Sequence, residues 1–163
     1  MRIQLFLFSD YSAIKINDAE VASKIFEFLA SNTNVEWSNL GYSVDGENTN
    51  VITTIRSNDT EKGFYLYIKD LKTYDFFLNK FDHSHPQNSP YPSGFSIEDG
   101  PGDIQAVKSL KNLYKGNVTS RIFIPAYNIY VNYDENSNIN DFNNIKSRIS
   151  WIKNVNRLFN VSF

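Results

Sequence analysis

The 163-residue sequence has no cysteine, only two histidines and no long apolar run. The absence of cysteine excludes a disulfide framework, thiolate catalysis and every cysteine-based zinc site. No segment approaches the ~20 apolar residues of a transmembrane helix. The apolar run at residues 3–8 is shorter than the roughly 7–15 residues that a signal peptide needs, and an acid follows at Asp10. These absences predict a cytoplasmic protein with no membrane association.

The composition is that of a folded domain. Hydrophobic residues make up 41% and charged residues 21% of the chain, with only 7 glycines and 5 prolines. A chain of this length is long enough to bury one substantial core. The sequence therefore predicts a single globular domain over residues 1–163, with an irregular loop at about 83–102.

Hydrophobic periodicity predicts short strands mixed with amphipathic helices. Strands are predicted at residues 3–8, 51–56, 64–69, 118–124 and 127–134, and helices at 18–30, 70–81, 103–114 and 141–159. The strands at 51–56 and 64–69 flank a turn-like segment, so they are expected to form a hairpin. The order predicts an α+β fold with a mostly antiparallel sheet, helices packed on one face, a ferredoxin-like start and a C-terminal amphipathic helix.

The irregular loop holds both histidines, His83 and His85, next to Asp82. Neutral imidazole is a common metal ligand, so the pair is a candidate metal site. A catalytic zinc site needs three protein ligands, however, and the chain has no H-E-x-x-H helix. Two cations after a helix end also fit a favourable interaction with the helix dipole. On this balance the sequence predicts no metal and no cofactor, with His83 and His85 as the weaker alternative.

The end of the loop is acidic and contains Glu98, Asp99 and Asp103. Carboxylates in a loop can hold Mg²⁺ or Ca²⁺, but the EF-hand spacing is absent. Asp103 is instead predicted to cap the helix that follows it. Both glycine-rich nucleotide-binding motifs are missing. The G-x-S-x-G element of serine hydrolases is missing too, so no catalytic residue is assigned.

Three tyrosines form a possible second surface. Tyr65, Tyr67 and Tyr130 share the face opposite the core if their predicted strands lie in one sheet. Exposed tyrosines are favoured at protein interfaces and also stack on bases in sheet-type RNA-binding proteins. Alternatively, a helix covers this face. The sequence does not distinguish between a protein interface, an RNA-binding surface and a covered face.

Charge is distributed unevenly along the chain. Residues 1–103 carry 15 of the 18 acids and half of the 16 bases, although the whole chain has a net charge of only −2. A chain with this net charge is a poor general nucleic-acid binder. An acidic region is better suited to a basic protein partner, because complementary charges speed association.

These features lead to a predicted protein-binding inhibitor of the immunity or antitoxin type, which would occlude a basic toxin such as a nuclease. The expected partner-binding residues are Asp70, Asp75, Asp82, Tyr91, Phe95, Glu98, Asp99 and Asp103. The alternative is a metal-dependent hydrolase or nuclease that uses His83, His85, Glu98 and Asp99, since a long irregular loop is often functional. The oligomeric state is not predicted.

Overall fold

The computed structural model describes residues 1–71, 75–94, 102–145, 147, 149 and 150. Within these residues the strands are β1 (Ile3–Leu7), β2 (Ser12–Ile16), β3 (Ser38–Val44), β4 (Glu47–Thr54), β5 (Phe76–Ser84), β6 (Thr119–Ile124) and β7 (Ile129–Tyr133). The α-helices are α1 (Ala19–Asn32), α2 (Gly63–Leu71) and α3 (Asp103–Leu113). Short 3₁₀ segments follow at Pro125–Tyr127 and Ile139–Phe142.

All seven strands form one sheet in the order β1-β2-β4-β3-β5-β6-β7. Every neighbouring pair is antiparallel except β5 and β6, which are parallel and joined through α3. A parallel pair needs such a crossover connection, whereas antiparallel neighbours can be joined by tight turns. The predicted α+β class with a mostly antiparallel sheet is confirmed.

The helices lie on both faces of the sheet, not on one face as the sequence predicts. Ala22, Phe26 and Ala30 of α1 pack with Ile52 and Phe123 on one side. The neighbouring strand residues, such as Val51 and Ile122, point to the other side, where they pack with α2 and α3. Because alternate strand residues point to opposite faces, the sheet divides the protein into an α1 side and an α2–α3 side.

The segment predicted as the second strand of a hairpin is the helix α2. Phe64 and Ile68 are each only 2% exposed and lie four residues apart, which is the spacing of one helix face. Glu61 accepts a hydrogen bond from the backbone N–H of Gly63 at 2.6 Å, which stabilises the start of the helix. The predicted hairpin is therefore wrong, and β4 pairs with β2 and β3 instead.

The segment predicted as the second helix is mostly the strand β5. Its pairing with β3 contains a β-bulge, where Gly41 pairs with Lys80 but the next residue, Tyr42, pairs with Leu78. The extra residue, Asn79, shifts the alternation, so Leu78 and Phe81 face the same core although three positions separate them. A spacing of three is also typical of a helix, and this explains the wrong prediction.

Helices α1 and α3 and strands β1, β4, β6 and β7 fall close to their predicted positions, whereas β2 and β3 were not predicted. Helix α1 begins after Asp18, whose side chain accepts hydrogen bonds from the backbone N–H groups of Glu20 and Val21. The predicted C-terminal helix lies largely outside the described residues. Its described residues from 143 to 150 are helical, and Phe142 and Ile149 are buried against the α2–α3 side of the sheet. Among the described helices none has the length and hydropathy to span a bilayer.

Candidate metal centre

The two histidines lie at the end of β5 and point into the α2–α3 side of the protein. His83 is 3% exposed and His85 is 8% exposed. The bulge at Asn79 sets this orientation, because it places Phe81 and His83 on the core face and Asp82 on the α1 face. The two Nε2 atoms lie 3.0 Å apart. Each imidazole therefore presents the same nitrogen to one point in space.

Asp103 completes a cluster with these histidines. Its Oδ1 lies 3.3 Å from His83 Nε2, and its Oδ2 lies 3.5 Å from His85 Nε2. Asp103 is the first residue of α3, but its carboxylate does not cap that helix as the sequence predicts. The cap is supplied by Ser93, whose Oγ accepts a hydrogen bond from the backbone N–H of Asp103 at 3.1 Å. The Asp103 carboxylate is thereby left to face the histidines.

The outer nitrogens of the imidazoles are held by hydrogen bonds. His85 Nδ1 lies 3.0 Å from the backbone carbonyl oxygen of Ser89, which can only accept, so this nitrogen carries the proton. His85 in its neutral form then presents a lone pair at Nε2. His83 Nδ1 lies 3.3 Å from the hydroxyl of Tyr133. Such partners fix the tautomer and ring orientation of metal-binding histidines.

The donor atoms of His83, His85 and Asp103 fit a single zinc ion. All three lie within 4.8 Å of one another. Ligand atoms about 2.0–2.1 Å from a tetrahedral zinc lie about 3.3 Å from each other. The two Nε2 atoms lie 3.0 Å apart, and each faces a different oxygen of Asp103, at 3.3 Å for Oδ1 and 3.5 Å for Oδ2, so these individual separations are close to that value. Two imidazoles with a carboxylate are also a ligand set that zinc takes in hydrolytic enzymes.

The same three groups interact strongly by charge. Burial opposes ionisation of Asp103, but the charges and hydrogen bonds of the two imidazoles outweigh it and hold the pKa of Asp103 well below its usual value. Burial also opposes the charging of His83, and the adjacent Asp103 carboxylate reverses this and raises the pKa of His83. The cluster therefore favours a negative carboxylate and attracts positive charge, either a proton or a metal ion.

Glu36 lies next to this cluster and was not among the predicted site residues. The backbone N–H of Trp37 donates to Ser84 Oγ at 3.0 Å, and that of Ser84 donates to the Trp37 carbonyl oxygen at 2.9 Å. These bonds extend the β3–β5 pairing and bring Glu36 beside the end of β5. Glu36 is 8% exposed, and its carboxylate makes no hydrogen bond within the part of the chain that the structure describes.

The ionisation of Glu36 reflects that setting. Burial raises the pKa of Glu36, and the negative charge of Asp103 adds to the increase, whereas the two histidines oppose it. A carboxylate with a raised pKa beside a metal-type cluster is the usual form of a general base. The sequence signal for Glu36 was weak, since it is one of 18 acids and lies 47 residues before His83.

A cavity of about 650 Å³ opens onto all four residues. The segment 59–62 and the first turn of α2 form one wall, and the segment 85–93 with the start of α3 forms the other. The lining includes the aromatic side chains of Phe64, Tyr65, Phe81 and Tyr91. A concave site with aromatic walls and a few converging polar groups is typical of a substrate pocket.

The acidic residues predicted to contact a partner do not form one surface. Asp82 is fully buried on the α1 side, where Arg121 donates to it at 2.9 and 2.7 Å. Asp75 is exposed and pairs with Lys115. Asp103 belongs to the metal-type cluster, and Tyr91 lines the cavity. The predicted contacts Phe95, Glu98 and Asp99, and the side chain of Asp70, lie outside the described residues.

The three tyrosines of the predicted second surface are also separated. Tyr65 and Tyr67 lie on α2, where Tyr65 lines the cavity and the Tyr67 hydroxyl lies 2.8 Å from that of Tyr42. Tyr130 lies on β7 at the α1 side, and its hydroxyl donates to Glu27 at 2.9 Å. Their separation follows from the fold, because residues 64–69 lie in α2 and not in the strand that the sequence predicts.

The fold and the cluster describe an α+β protein with a cavity in which two imidazoles and a carboxylate converge. A family model described as JAB-like toxin 1 matches residues 14–108, more than half of the chain, so the chain belongs to that family. The matched region contains Glu36, His83, His85 and Asp103. No curated protein and no solved structure matches the chain.

This membership corrects the predicted function. The sequence pointed to an immunity-type inhibitor of a toxin, whereas the family is one of toxins. The prediction used the acidic charge of residues 1–103 as evidence for a basic partner. Several of those acids serve other purposes: Asp82 pairs inside the protein, and Asp103 faces the histidines.

Proposed function

We propose that the chain is a metal-dependent hydrolase whose activity makes it toxic. The observation that carries this proposal is the convergence of His83, His85 and Asp103 at ligand distances, with Glu36 in the same cavity. Membership in a toxin family supports it. The alternative function inferred from the sequence used the same histidines with Glu98 and Asp99, which lie outside the described residues; among the described residues Asp103 is the third donor beside the histidines.

His83, His85 and Asp103 would hold one Zn²⁺, with Ser89 and Tyr133 orienting the two imidazoles. Bound zinc supplies a Lewis acid that polarises a carbonyl and acidifies water. Three protein ligands leave a position open for water or substrate, as in catalytic rather than structural zinc sites.

Glu36 acts as the general base and later as the general acid. Its carboxylate takes a proton from the attacking water and delivers it to the leaving group. Burial raises the pKa of Glu36, which brings its proton affinity closer to that of the groups it serves. A carboxylate that makes no hydrogen bond among the described residues is free to move between these partners.

The charge of the cavity favours a neutral carbonyl substrate, such as an amide, over a phosphodiester. The described lining carries four carboxylates and one amine: Glu36, Asp59, Glu61 and Asp103 against Lys62. Phosphoryl transfer needs cationic groups around the reacting phosphate, and this lining supplies few. An amide group carries no negative charge, so the carboxylates of the cavity do not repel it.

The first test is metal content. Purified protein loaded with Zn²⁺ is expected to retain one ion per chain, measured by mass spectrometry of the metal after desalting. His83→Ala and Asp103→Asn should lose the ion, because two donors do not hold zinc tightly. Asp75→Asn is the matched control, since Asp75 is exposed and paired with Lys115 away from the cluster. Wild-type protein without zinc would contradict the proposal.

The second test separates binding from catalysis. Glu36→Gln should keep the zinc ion but lose about 10²- to 10⁴-fold in hydrolysis of a peptide library, as expected when a general base is removed. Growth arrest of cells that express the chain should disappear with the same change. Parallel incubation with RNA and DNA checks the bond class: zinc-dependent cleavage of nucleic acid that requires Glu36 would overturn the amide assignment.

A further inference from the structure

The chain on either side of residues 95–101 comes together at the start of α3. Ser93 and Asp103 are ten residues apart, yet each donates to the other. The backbone N–H of Ser93 donates to Asp103 Oδ2 at 2.7 Å, and that of Asp103 donates to Ser93 Oγ at 3.1 Å. The Ser93 carbonyl oxygen also accepts from the N–H of Ile104 at 3.2 Å. Asp103 Oδ2, which faces His85, is thus held by the backbone of Ser93.

Gln105 connects the two sides of this junction. Its Nε2 donates to the Gly94 carbonyl oxygen at 2.8 Å. Its Oε1 accepts from the backbone N–H of Gly102 at 3.1 Å. One side chain therefore bonds to the residue after Ser93 and to the residue before Asp103. We call these five residues, Ser93, Gly94, Gly102, Asp103 and Gln105, the loop anchor.

The loop anchor is packed too tightly for a side chain at either glycine. A Cβ at Gly94 would overlap Gln105 Oε1 and lie 3.0 Å from the backbone nitrogen of Gly102. A Cβ at Gly102 would overlap Ser93 Oγ and lie 2.7 Å from the backbone nitrogen of Gly94. Gly94 also has a φ of +82°, which a glycine adopts at no steric cost.

We propose that Gln105 is a positioning residue for the metal centre, which fixes the carboxylate of Asp103 by holding Ser93 against the start of α3. This inference rests on the proposed function, because it takes Asp103 as a metal ligand. Gln105 itself is not a ligand, since its amide oxygen and nitrogen are both engaged by backbone groups. Without these two bonds, among the described residues Ser93 would be held against the start of α3 by its bonds to Asp103 and Ile104.

The first experiment replaces the amide by a group of similar shape that makes no hydrogen bond. Gln105→Met is expected to weaken Zn²⁺ affinity by about 10- to 100-fold, the range found when an outer partner of a metal ligand is lost. The affinity is measured by competition with a chromogenic chelator, using Zn²⁺ alone. Gln4→Met on β1 is the matched control and should bind zinc as the wild type does.

A second pair of variants tests the packing of the anchor at constant backbone strain. Gly94 and Gly46 have φ values of +82° and +84°, but a Cβ at Gly46 meets nothing within 4 Å. Gly94→Ala should therefore weaken zinc binding, whereas Gly46→Ala should not. Combining Gly94→Ala with Gln105→Met should cost little more than either change alone, because both disrupt the same contact.

The unfolding midpoint of each metal-free variant separates positioning from a purely structural role. A positioning role predicts weaker zinc binding by a protein that remains folded. Unchanged zinc affinity in Gln105→Met and Gly94→Ala would overturn the inference, and so would the failure of both variants to fold. If the wild type itself binds no zinc, the proposed function fails. Zinc bound equally by all variants would contradict only the role of Gln105.

Discussion

Two glutamates line the cavity, the buried Glu36 and the half-buried Glu61, and they differ in what surrounds them. Glu36 makes no hydrogen bond among the described residues, and its neighbours are the histidines and Asp103. Glu61 accepts hydrogen bonds from Thr53 Oγ1 at 2.9 Å and from the backbone N–H of Ile55 at 3.0 Å. Glu36 is therefore available for proton transfer, whereas Glu61 is committed to holding the turn before α2.

Glu61 makes the stability of the protein depend on pH. Burial raises its pKa to about 7, although hydrogen bonds from Thr53, Ile55 and Gly63 oppose the increase. Because the folded state binds this proton more tightly than the unfolded state, the stabilisation is complete below pH ~4.5 and is lost as the pH rises to 7. A shift of about 2.5 units corresponds to about 3 kcal/mol.

The prediction is tested with Glu61→Gln, which has no titrating group at this position. Between pH 4.5 and 7 the free energy of unfolding of the wild type should fall by about 3 kcal/mol relative to that of the variant. Denaturant titrations at several pH values measure the difference. The control is Glu47→Gln, at the exposed start of β4. Its free energy of unfolding should change with pH as that of the wild type does. If the free energies of unfolding of the wild type and of Glu61→Gln change equally with pH, then Glu61 is ionised over the whole range from pH 4.5 to 7.

At the scale of elements, the bulge in β5 decides which side chains reach the cavity. Asn79 is the extra residue, and it reverses the alternation after Leu78. As a result His83 lies over the cavity, and Asp82 lies on the α1 side with Arg121. A one-residue shift in a strand moves every later side chain to the other face.

The bulge depends on Gly41, which lies opposite it on β3. A Cβ at Gly41 would lie 3.0 Å from Lys80 Cβ and 3.2 Å from Asn79 Oδ1, closer than ordinary contacts. Gly41→Ala should lower the free energy of unfolding by about 1–3 kcal/mol, the usual cost of overpacking. It should also weaken zinc binding, since the strand that carries His83 must shift.

Thermal unfolding and chelator competition check this prediction. Ser43→Ala, two residues further along β3, is the control on the same strand. An unchanged zinc affinity in Gly41→Ala would show that the bulge and the metal centre are independent. An unchanged unfolding midpoint would show that the neighbouring side chains absorb the added methyl group.

The bulge also explains why the sequence predicts only part of the fold. Helices α1 and α3 and strands β6 and β7 were predicted near their observed positions, because each has a regular apolar period and local end signals. The bulge gave β5 a helix-like spacing between Leu78 and Phe81. Glu36 and Asp103 reach the histidines through long-range contacts, which no local pattern encodes. The sequence thus named His83 and His85 only as a weaker alternative to having no metal site, and it did not place Glu36 or Asp103 beside them.

For the whole molecule, the proposed metal centre joins the end of β5 to the start of α3. His83 is in β5, His85 follows the last residue of that strand, and Asp103 begins α3. The α1 side has its own buried charge network, in which Arg121 contacts Asp82 and lies over the Tyr130 ring. Among the described residues no hydrogen bond or ion pair joins this network to the histidines, Asp103 or Glu36, so zinc bound at the cavity should stabilise the protein without rearranging the α1 side.

Zinc is therefore expected to raise the melting temperature. At a free concentration 100 times the Kd, a ligand that binds only the folded state adds about 2.7 kcal/mol. For a chain of this size that corresponds to roughly 5–10 °C. Calorimetry with and without Zn²⁺ measures the increase. Zinc should not raise the melting temperature of His83→Ala, whereas it should raise that of Glu36→Gln as much as that of the wild type. If Glu36→Gln lost the increase, Glu36 would be a ligand rather than a base.

The adjoining backbones of Gly94 and Gly102 have a practical consequence for engineering. A segment whose two ends meet can be exchanged for one of another length at small entropic cost. Residues 95–101 lie between these ends and contribute none of the three proposed ligands. Because Ser93 and Gly102 line the cavity, a target-recognition peptide grafted between Gly94 and Gly102 would start and end beside it, and the proposed hydrolase could be directed to a chosen protein.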